Sequence, residues 1–428
     1  MKRRDFILKS AMAAGAVTLP YILPTGRLFA ATGSRIANHV VFCMFAGGVR
    51  NLESMHKADG NLMPNMLVGN ESISSDIAPG MTSLPAPTSA RLQTLGTLFK
   101  EFRYKQGPTG HFGGHNTVLT GRYDETVSLS QRPKYPTIFE LYRKHSSPEQ
   151  AALNSWWISN SLGPYPSLNF SDDPEYGALY GANYAQPASI ITGMPQNPIQ
   201  LDDVKLEKVA AMRQFMDNSF TTNVTAQDAG ITNTLANRKR IEEFLRFEYD
   251  NAVSGQYNNF WGLSQNSINN DQVTVLFAEK VIKEFQPELL VVNMQDVDTC
   301  HQNFTGYANN IRKADFAVAK LWEAIQSTPG MANDTILIVA PEHGRNLQPN
   351  TIIDRYGRYA LDHTSDDTSR EIFCLIAGPP DKVKQNQLIT QVVGESTDIV
   401  PTIANILGFN NEIPSGRLTG RHLGEAFY

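Results

Sequence analysis

The sequence predicts an α/β fold: a mostly parallel central sheet with helices on both faces. Three observations carry this. Four apolar runs recur along the chain, namely His39–Phe45, Glu288–Met294, Thr335–Ala340 and Ile372–Ala377. Such unbroken runs are the mark of strands buried on both faces. Between them lie segments with apolar residues at three- and four-residue spacing, at 137–144, 271–285, 308–326 and 397–407, the last with Pro401 near its start. Alternation of the two patterns builds an open sheet covered on both sides. Most of the runs end in a polar loop, and in such sheets ligands bind beyond the carboxyl ends of the strands. The expectation is therefore one sheet, with the ends near Phe45, Met294, Ala340 and Ala377 on one edge.

The first thirty residues read as an export signal. Arg3-Arg4 is followed by Asp5-Phe6-Ile7, Lys9 and the weakly apolar run Ser10 to Leu19. This is a twin-arginine pattern. The apolar stretch is shorter than the roughly 20 residues of a membrane span, and Pro20 and Pro24 interrupt it. Cleavage near Ala30 or Ala31 leaves a mature chain, 31–428, destined for the periplasm or the exterior, with no transmembrane span. Residues 1–30 hold five basic side chains and one acidic one, so a total charge of −5 leaves the remainder near −9. No Lys/Arg stripe is present, which argues against a nucleic-acid partner. The three cysteines, Cys43, Cys300 and Cys374, make no disulfide framework. Cys43 and Cys374 lie in strand runs as apolar fillers; Cys300 lies inside a candidate metal motif and offers a thiolate there.

Two stretches depart from the α/β pattern. Residues 51–92, rich in Ser, Pro, Met and Gly, read as a long excursion near the site. Residues 154–270, rich in Asn, Tyr and Ser, read as an insertion or cap, with helices at 202–216 and 226–252.

Five of the nine histidines fall in four short polar motifs. Asp296-Val297-Asp298-Thr299-Cys300-His301 follows one strand, and the spacing lets Asp298 and His301 reach one ion. Glu342-His343-Gly344-Arg345 follows another. Gly344 permits a sharp turn that aims both side chains at a single centre, and Arg345 offers a fork of donors to an anion. In Asp362-His363 the carboxylate can orient the imidazole. The glycine-rich Gly107–His115 carries His111 and His115. Its backbone N–H groups suit an anion, as does the start of the helix that follows. Imidazole with carboxylate is the donor set of zinc, manganese or iron. One or two divalent ions are expected, zinc first, with manganese or calcium as alternatives.

The order of these pieces resembles the alkaline phosphatase superfamily. Leu119-Thr120-Gly121-Arg122-Tyr123 looks like the sulfatase segment after the nucleophile. Thr335 to Arg345 looks like the family's strand and Asp-His-Gly, with Glu342 in place of Asp. Asp362-His363 looks like the last metal histidine, and Ser396–Ile403 with Gly420-Arg421-His422-Leu423 like the C-terminal helix and tail. The resemblance covers most of Asn38 to Leu423, the middle insertion excepted. It implies one metal site from Asp298, His301 and His363, and a second from Glu342 and His343. It also implies an alkaline phosphatase-like fold for 31–428. The chain departs from the pattern in two places. The first strand ends in Ala46-Gly47-Gly48 where the family has a metal-binding Asp, as in an exported, sulfatase-like branch; Glu53 or Asn51 is then the substitute ligand. The family's spacing puts His111 where a Ser, Thr or Cys nucleophile stands, and there is no Cys-x-Pro-x-Arg. His111 and Arg345 are thus expected to handle the anion. Two functions follow: an exported metal-dependent hydrolase of phosphate or sulfate esters, acting on a small anionic ester or a sulfated or phosphorylated polymer; or a non-catalytic, metal-containing binding protein on the same scaffold.

Overall fold

The computed structural model describes residues 33–428, apart from 71, 88, 124–131, 147–148, 161–167, 188–232, 265–266 and 365, together with a two-residue strand pair at 21–22 and 28–29. The export signal and the expected helix at 202–216 therefore lie largely or wholly outside the described residues. No helix among those described is long and apolar enough to cross a membrane.

Eight strands form the central sheet. In chain order they are β1 His39–Phe45, β2 Gly96–Arg103, β3 Ser155–Ser159, β4 Asn183–Ala185, β5 Leu289–Met294, β6 Thr335–Pro341, β7 Glu371–Ala377 and β8 Gln387–Ile389. Across the sheet they run β8-β2-β7-β6-β1-β5-β3-β4. The pairs β6·β1, β1·β5, β5·β3, β3·β4 and β8·β2 are parallel. Strand β7 alone is antiparallel to both neighbours. The expectation that Ala377 ends on the same edge as Phe45, Met294 and Ala340 is thus corrected. The chain leaves β6 at the site edge and returns to the same edge at Arg370, so β7 starts there and runs the other way.

Alternation along the buried strands feeds two cores. Val41, Cys43, Phe45, Leu290, Val292 and Met294 face one side of the sheet. There they meet helix α4 (Asn270–Phe285) and helix α5 (Phe304–Ser327) through residues such as Leu276 and Ile311. Val40, Phe42, Met44, Leu289 and Val291 face the other side. They pack with helix α1 (His111–Thr120), helix α2 (Ile138–His145) and helix α6 (Ile399–Ile406). Side chains of period two on strands bury both faces this way. Helix ends are locally specified. Thr137 with Glu140, and Asn269 with Gln272, form reciprocal capping boxes. Asn303 caps α5 by accepting from Gly306 N. All three cysteines are free and buried.

Strands β3 and β4 come from the stretch expected to be an insertion. Its first part is therefore sheet: Trp156 and Trp157 pair with Leu290 and Val291 of β5. Helix α3 (Leu235–Val253) matches the described part of the expected helix at 226–252.

A candidate dinuclear metal centre at the sheet edge

Four loops meet beyond the ends of β1, β2, β5 and β6, and each brings part of the site. After β5, a short 3-10 helix, Asp296–His301, projects Asp298 and His301, three residues apart, from the same side. Beyond β6 come Glu342 and His343, both fully buried. The chain then loops out and returns through Asp362 and His363. After β2, the glycine-rich loop ends at Gly110, the N-cap of α1, so His111 is the first helical residue.

Among the described residues, two groups of side chains come close enough to hold an ion: His111, Asp298, His301 and His363; and His111, Glu342 and His343. His111 belongs to both. Its Nδ1 lies 2.8 Å from Glu342 Oε1 and its Nε2 lies 3.1 Å from Asp298 Oδ1. Asp298 Oδ1 is also 3.2 Å from His301 Nε2 and 3.9 Å from His363 Nε2. The His343 and His363 rings are 4.3 Å apart between centroids.

The imidazoles are oriented as ligands are. Nδ1 of His301 faces Asp362 Oδ1 at 2.6 Å. Nδ1 of His343 faces the Gly344 carbonyl at 2.8 Å, and Nδ1 of His363 faces the Thr109 carbonyl at 2.6 Å. A carbonyl or carboxylate can only accept, so each Nδ1 carries the proton and each Nε2 keeps its lone pair. Nε2 of His343 and of His363 are buried with no hydrogen-bond partner. Buried polar atoms left bare require an explanation. Inward lone pairs beside carboxylates fit a divalent cation, so the residues present fit the implied metal.

Electrostatics agree. Burial penalises the carboxylate of Glu342, but His115, His343 and His111 around it outweigh that and hold it well below the usual range. Asp298 is likewise held far down, against burial, by His111, His301 and Arg345. Burial keeps His343 neutral, and burial with His111 and Arg345 lowers His363 to about 4. His111 goes the other way. Burial opposes its charge, yet Glu342 and Asp298 raise it to about 10. Ionised carboxylates and neutral imidazoles are the states that bind metal.

Several expected site residues stand elsewhere. Glu53 is buried against Arg50, whose Nε lies 2.9 Å from Oε2, and against the Tyr307 hydroxyl at 3.3 Å. It joins neither group, because its charge is already matched below the site. Asn51 donates to the carbonyls of Lys100 and Ile372 and is structural too. Arg345 is fully buried and is turned to the protein rather than to a substrate anion. It donates to the carbonyls of Gly48 and Leu361 and, at 2.9 Å, to Asp298 Oδ1. It is a positioning residue that ties three loops together. Cys300 is buried outside both groups, and Asp296 instead accepts from Asp271 N at the start of α4.

Other contributors were hidden in the sequence. His115 sits one turn after His111, with Nδ1 toward Glu342 Oε2 and Nε2 at 3.1 Å from Asn293 Oδ1. Its i,i+4 spacing from His111 was the available signal. Thr109 donates to the carbonyls of His363 and Thr364 and so clamps the last histidine.

The Gly47-Gly48 pair explains itself here. Both have positive φ, at 99° and 79°. A Cβ on Gly47 would lie 2.5 Å from the Asp298 backbone N, and one on Gly48 would lie 2.5 Å from His343 Nδ1. Gly47 N donates to Glu342 Oε1. The turn is a floor on which the ligands rest, with no room for a carboxylate of its own. Gly48→Ala is therefore expected to displace His343 and to cost more than the strain of φ alone, about 1–3 kcal/mol. Gly416→Ala is the control, since Gly416 has φ 84° and nothing within 4 Å of its Cβ position. Equal melting temperatures and metal contents in the two variants would contradict this.

Similarity to known proteins follows the same lines. An alkaline phosphatase superfamily protein from Vibrio parahaemolyticus aligns over 97% of this chain and 79% of its own, at 12% identity and a TM-score of 0.44. A variant of the alkaline phosphatase PafA aligns over 97% and 100%, at 12% identity and a TM-score of 0.47. A phosphonate monoester hydrolase from Silicibacter pomeroyi aligns over 90% and 76%, at 14% identity and a TM-score of 0.46. No curated protein sequence matches the chain. Residues 85–363, well over half of the chain and including His111, Asp298, His301, Glu342, His343 and His363, match the type I phosphodiesterase / nucleotide pyrophosphatase family. The chain belongs to that family, within the alkaline phosphatase superfamily.

Proposed function

We propose that this protein is an exported, metal-dependent hydrolase of phosphate or sulfate esters. The observation that supports it best is the set of inward-facing imidazoles, each with Nδ1 fixed by an acceptor, gathered around two ionised carboxylates. Asp298, His301 and His363 would hold one ion and Glu342 and His343 a second, with His111 standing between the two as the proton-carrying group. Imidazole-rich donor sets favour zinc over calcium, which takes oxygen ligands. Ions bound there would supply Lewis acidity toward the ester's anionic oxygens. Membership of a phosphodiesterase family favours phosphodiesters among the candidate substrates.

The protein's own groups then have assignable tasks. His111 Nε2 holds a proton at the mouth of the site while Glu342 fixes its Nδ1. That is the geometry of a group that gives or takes a proton. The nearby hydroxyls are spent: Thr109 Oγ1 lies between the carbonyls of His363 and Thr364 and gives its one proton to that pair, and Thr117 Oγ1 donates to the Gly113 carbonyl. Attack is thus assigned to water, or to His111 once its Nε2 has given up its proton.

The test is metal analysis of the purified protein, then a screen of aryl phosphates, phosphodiesters and sulfates with zinc or manganese. Turnover that follows metal occupancy and vanishes in His111→Ala is expected, with His111→Ser recovering part of it. His111→Ala at wild-type rates would make His111 structural. Stoichiometric metal without turnover of any ester would favour the non-catalytic binding protein. Export rests on Arg3-Arg4. Replacing both with Lys should retain the protein in the cytoplasm on cell fractionation; undiminished export would refute the route.

A further inference from the structure

Five of the thirteen exposed large hydrophobic side chains among the described residues lie between Leu347 and Tyr359: Leu347, Ile352, Ile353, Tyr356 and Tyr359. Their segment is the outward arm of the loop that carries Glu342 and His343 at its start and Asp362 and His363 at its end. Asn346 N donates to the Asp362 carbonyl, and Asn350 donates to the His301 carbonyl and to Asp362 Oδ1. The arm therefore rises directly from the rim of the metal site.

It is also held rigid. Ile353 and Tyr359 pair as an antiparallel bridge. Asp354 accepts from the backbone N of Tyr356 and Arg358 within the turn, and from Thr305 N and Oγ1 at the start of α5. Arg358 donates to the Pro79 carbonyl of the 51–92 excursion at 3.1 Å. Apolar side chains fixed outward on a pinned hairpin are an exposed patch with a use, since a purely structural loop gains nothing from them. Between the arm, the excursion and α5 lies a cleft of ≈ 290 Å³, with Leu347, Pro349, Tyr359, Leu361, Ile77 and Phe304 among its walls. That is close to the lower bound for small-molecule sites and suits one ring system. Its charged lining residues are two of each sign, Arg50 and Arg358 against Asp59 and Asp76, so it has no net charge to attract an anion.

We propose that this lip and cleft receive the uncharged, apolar organic group of the ester whose anionic end lies among His111, His301 and His363. The substrates would then be esters of aryl or comparably apolar alcohols. The proposal rests on the hydrolase reading, but its test does not need turnover. Zinc-loaded protein is titrated calorimetrically with methylphosphonate and with 1-naphthylmethylphosphonate, for wild type and for the exposed-site variants Leu347→Ser and Tyr359→Ser. Wild type should prefer the naphthyl compound. Each variant should weaken it by about tenfold or more and leave methylphosphonate within about twofold, as loss of apolar contact in a pocket does. Where esters are turned over, kcat/KM for the matched naphthyl and methyl esters should divide the same way. If no ester is hydrolysed yet the variants lose selectivity, the hydrolase reading fails and the pocket stands. If esters are hydrolysed but both variants keep wild-type selectivity, the pocket is refuted. Variants that lose only sedimentation with phosphatidylglycerol vesicles, with phosphonate selectivity intact, would make the lip a membrane contact and overturn the proposal.

Discussion

Asp298→Asn should lose metal and turnover together while the protein still folds. One oxygen of Asp298 faces His111, His301, His363 and Arg345. The amide keeps the shape and removes the charge that organises all four. Metal binding at this half of the centre should weaken by about a hundredfold or more, since even outer partners of metal ligands are worth 10–100-fold. Arg345, with its side chain wholly buried, would keep only carbonyl partners, and a buried cation left without its anion destabilises the fold. Asp298 is itself partly exposed, which moderates that cost. Metal stoichiometry by elemental analysis and a thermal melt read the two effects separately. Full metal content in Asp298→Asn would show that the carboxylate is not a ligand. Arg345→Met should lower the melting temperature and loosen metal without changing the order of preference among substrates, because Arg345 touches only protein.

Stripped of metal by a chelator, the protein should be most stable near neutral pH and lose stability on both sides. His111 has its pKa raised from 6.5 to about 10: burial opposes the charge, and Glu342 and Asp298 more than offset it. A folded pKa above the unfolded one means the folded state holds the proton longer. This stabilisation is complete below pH ~6.5 and is lost as pH rises toward about 10. His363 has the opposite sign. Burial first, then His111 and Arg345, lower it to about 4, so the unfolded chain takes up the proton first as pH falls. Its stabilisation is complete above pH ~6.5 and shrinks down to about 4. Melting temperature against pH in chelator measures both limbs. His111→Asn should flatten the alkaline limb and, because His111 is one cause of the lowered His363 pKa, also soften the acidic one, leaving the part that burial and Arg345 supply; an alkaline limb already flat in wild type would contradict the assignment. A protonated His111 beside the ligands repels a cation, so metal affinity should rise with pH across the alkaline window.

The parts of the fold that were readable were those whose burial is symmetrical. His39–Phe45, Leu289–Met294 and Thr335–Pro341 sit in mid-sheet with both faces covered, and their apolar runs announce it. Strand β2, Gly-Thr-Leu-Phe-Lys-Glu-Phe-Arg, has partly exposed polar residues at its site end, so it lacks the unbroken apolar run that marks the central strands. Strand β3 was hidden by its length of five residues and by the Asn- and Ser-rich chain around it. The direction of β7 was not readable at all. Composition marks a strand, but only the route of the preceding loop decides which way it runs. The site divides similarly. Asp298, His301 and His343 follow strands and His363 precedes β7, and topology alone brings them to one edge. Glu53 and Arg345 have the chemistry of site residues; the partner of Glu53, Arg50, is only three residues away, whereas nothing local reveals that backbone carbonyls of distant loops already occupy Arg345. His115, named beside His111 but given no role, finds its partner in Glu342, far away in sequence.

The round trip from β6 out to Tyr359 and back to β7 has a consequence for how such a protein can diversify. Glu342 and His343 stand at its departure and Asp362 and His363 at its return, and Arg345, Asn346 and Asn350 rivet the base. Everything between Ile352 and Tyr359 is carried beyond those rivets. A lineage can lengthen, shorten or rewrite this cassette without shifting a ligand atom. Grafting another 352–359 segment here should alter which esters are accepted while leaving metal stoichiometry untouched.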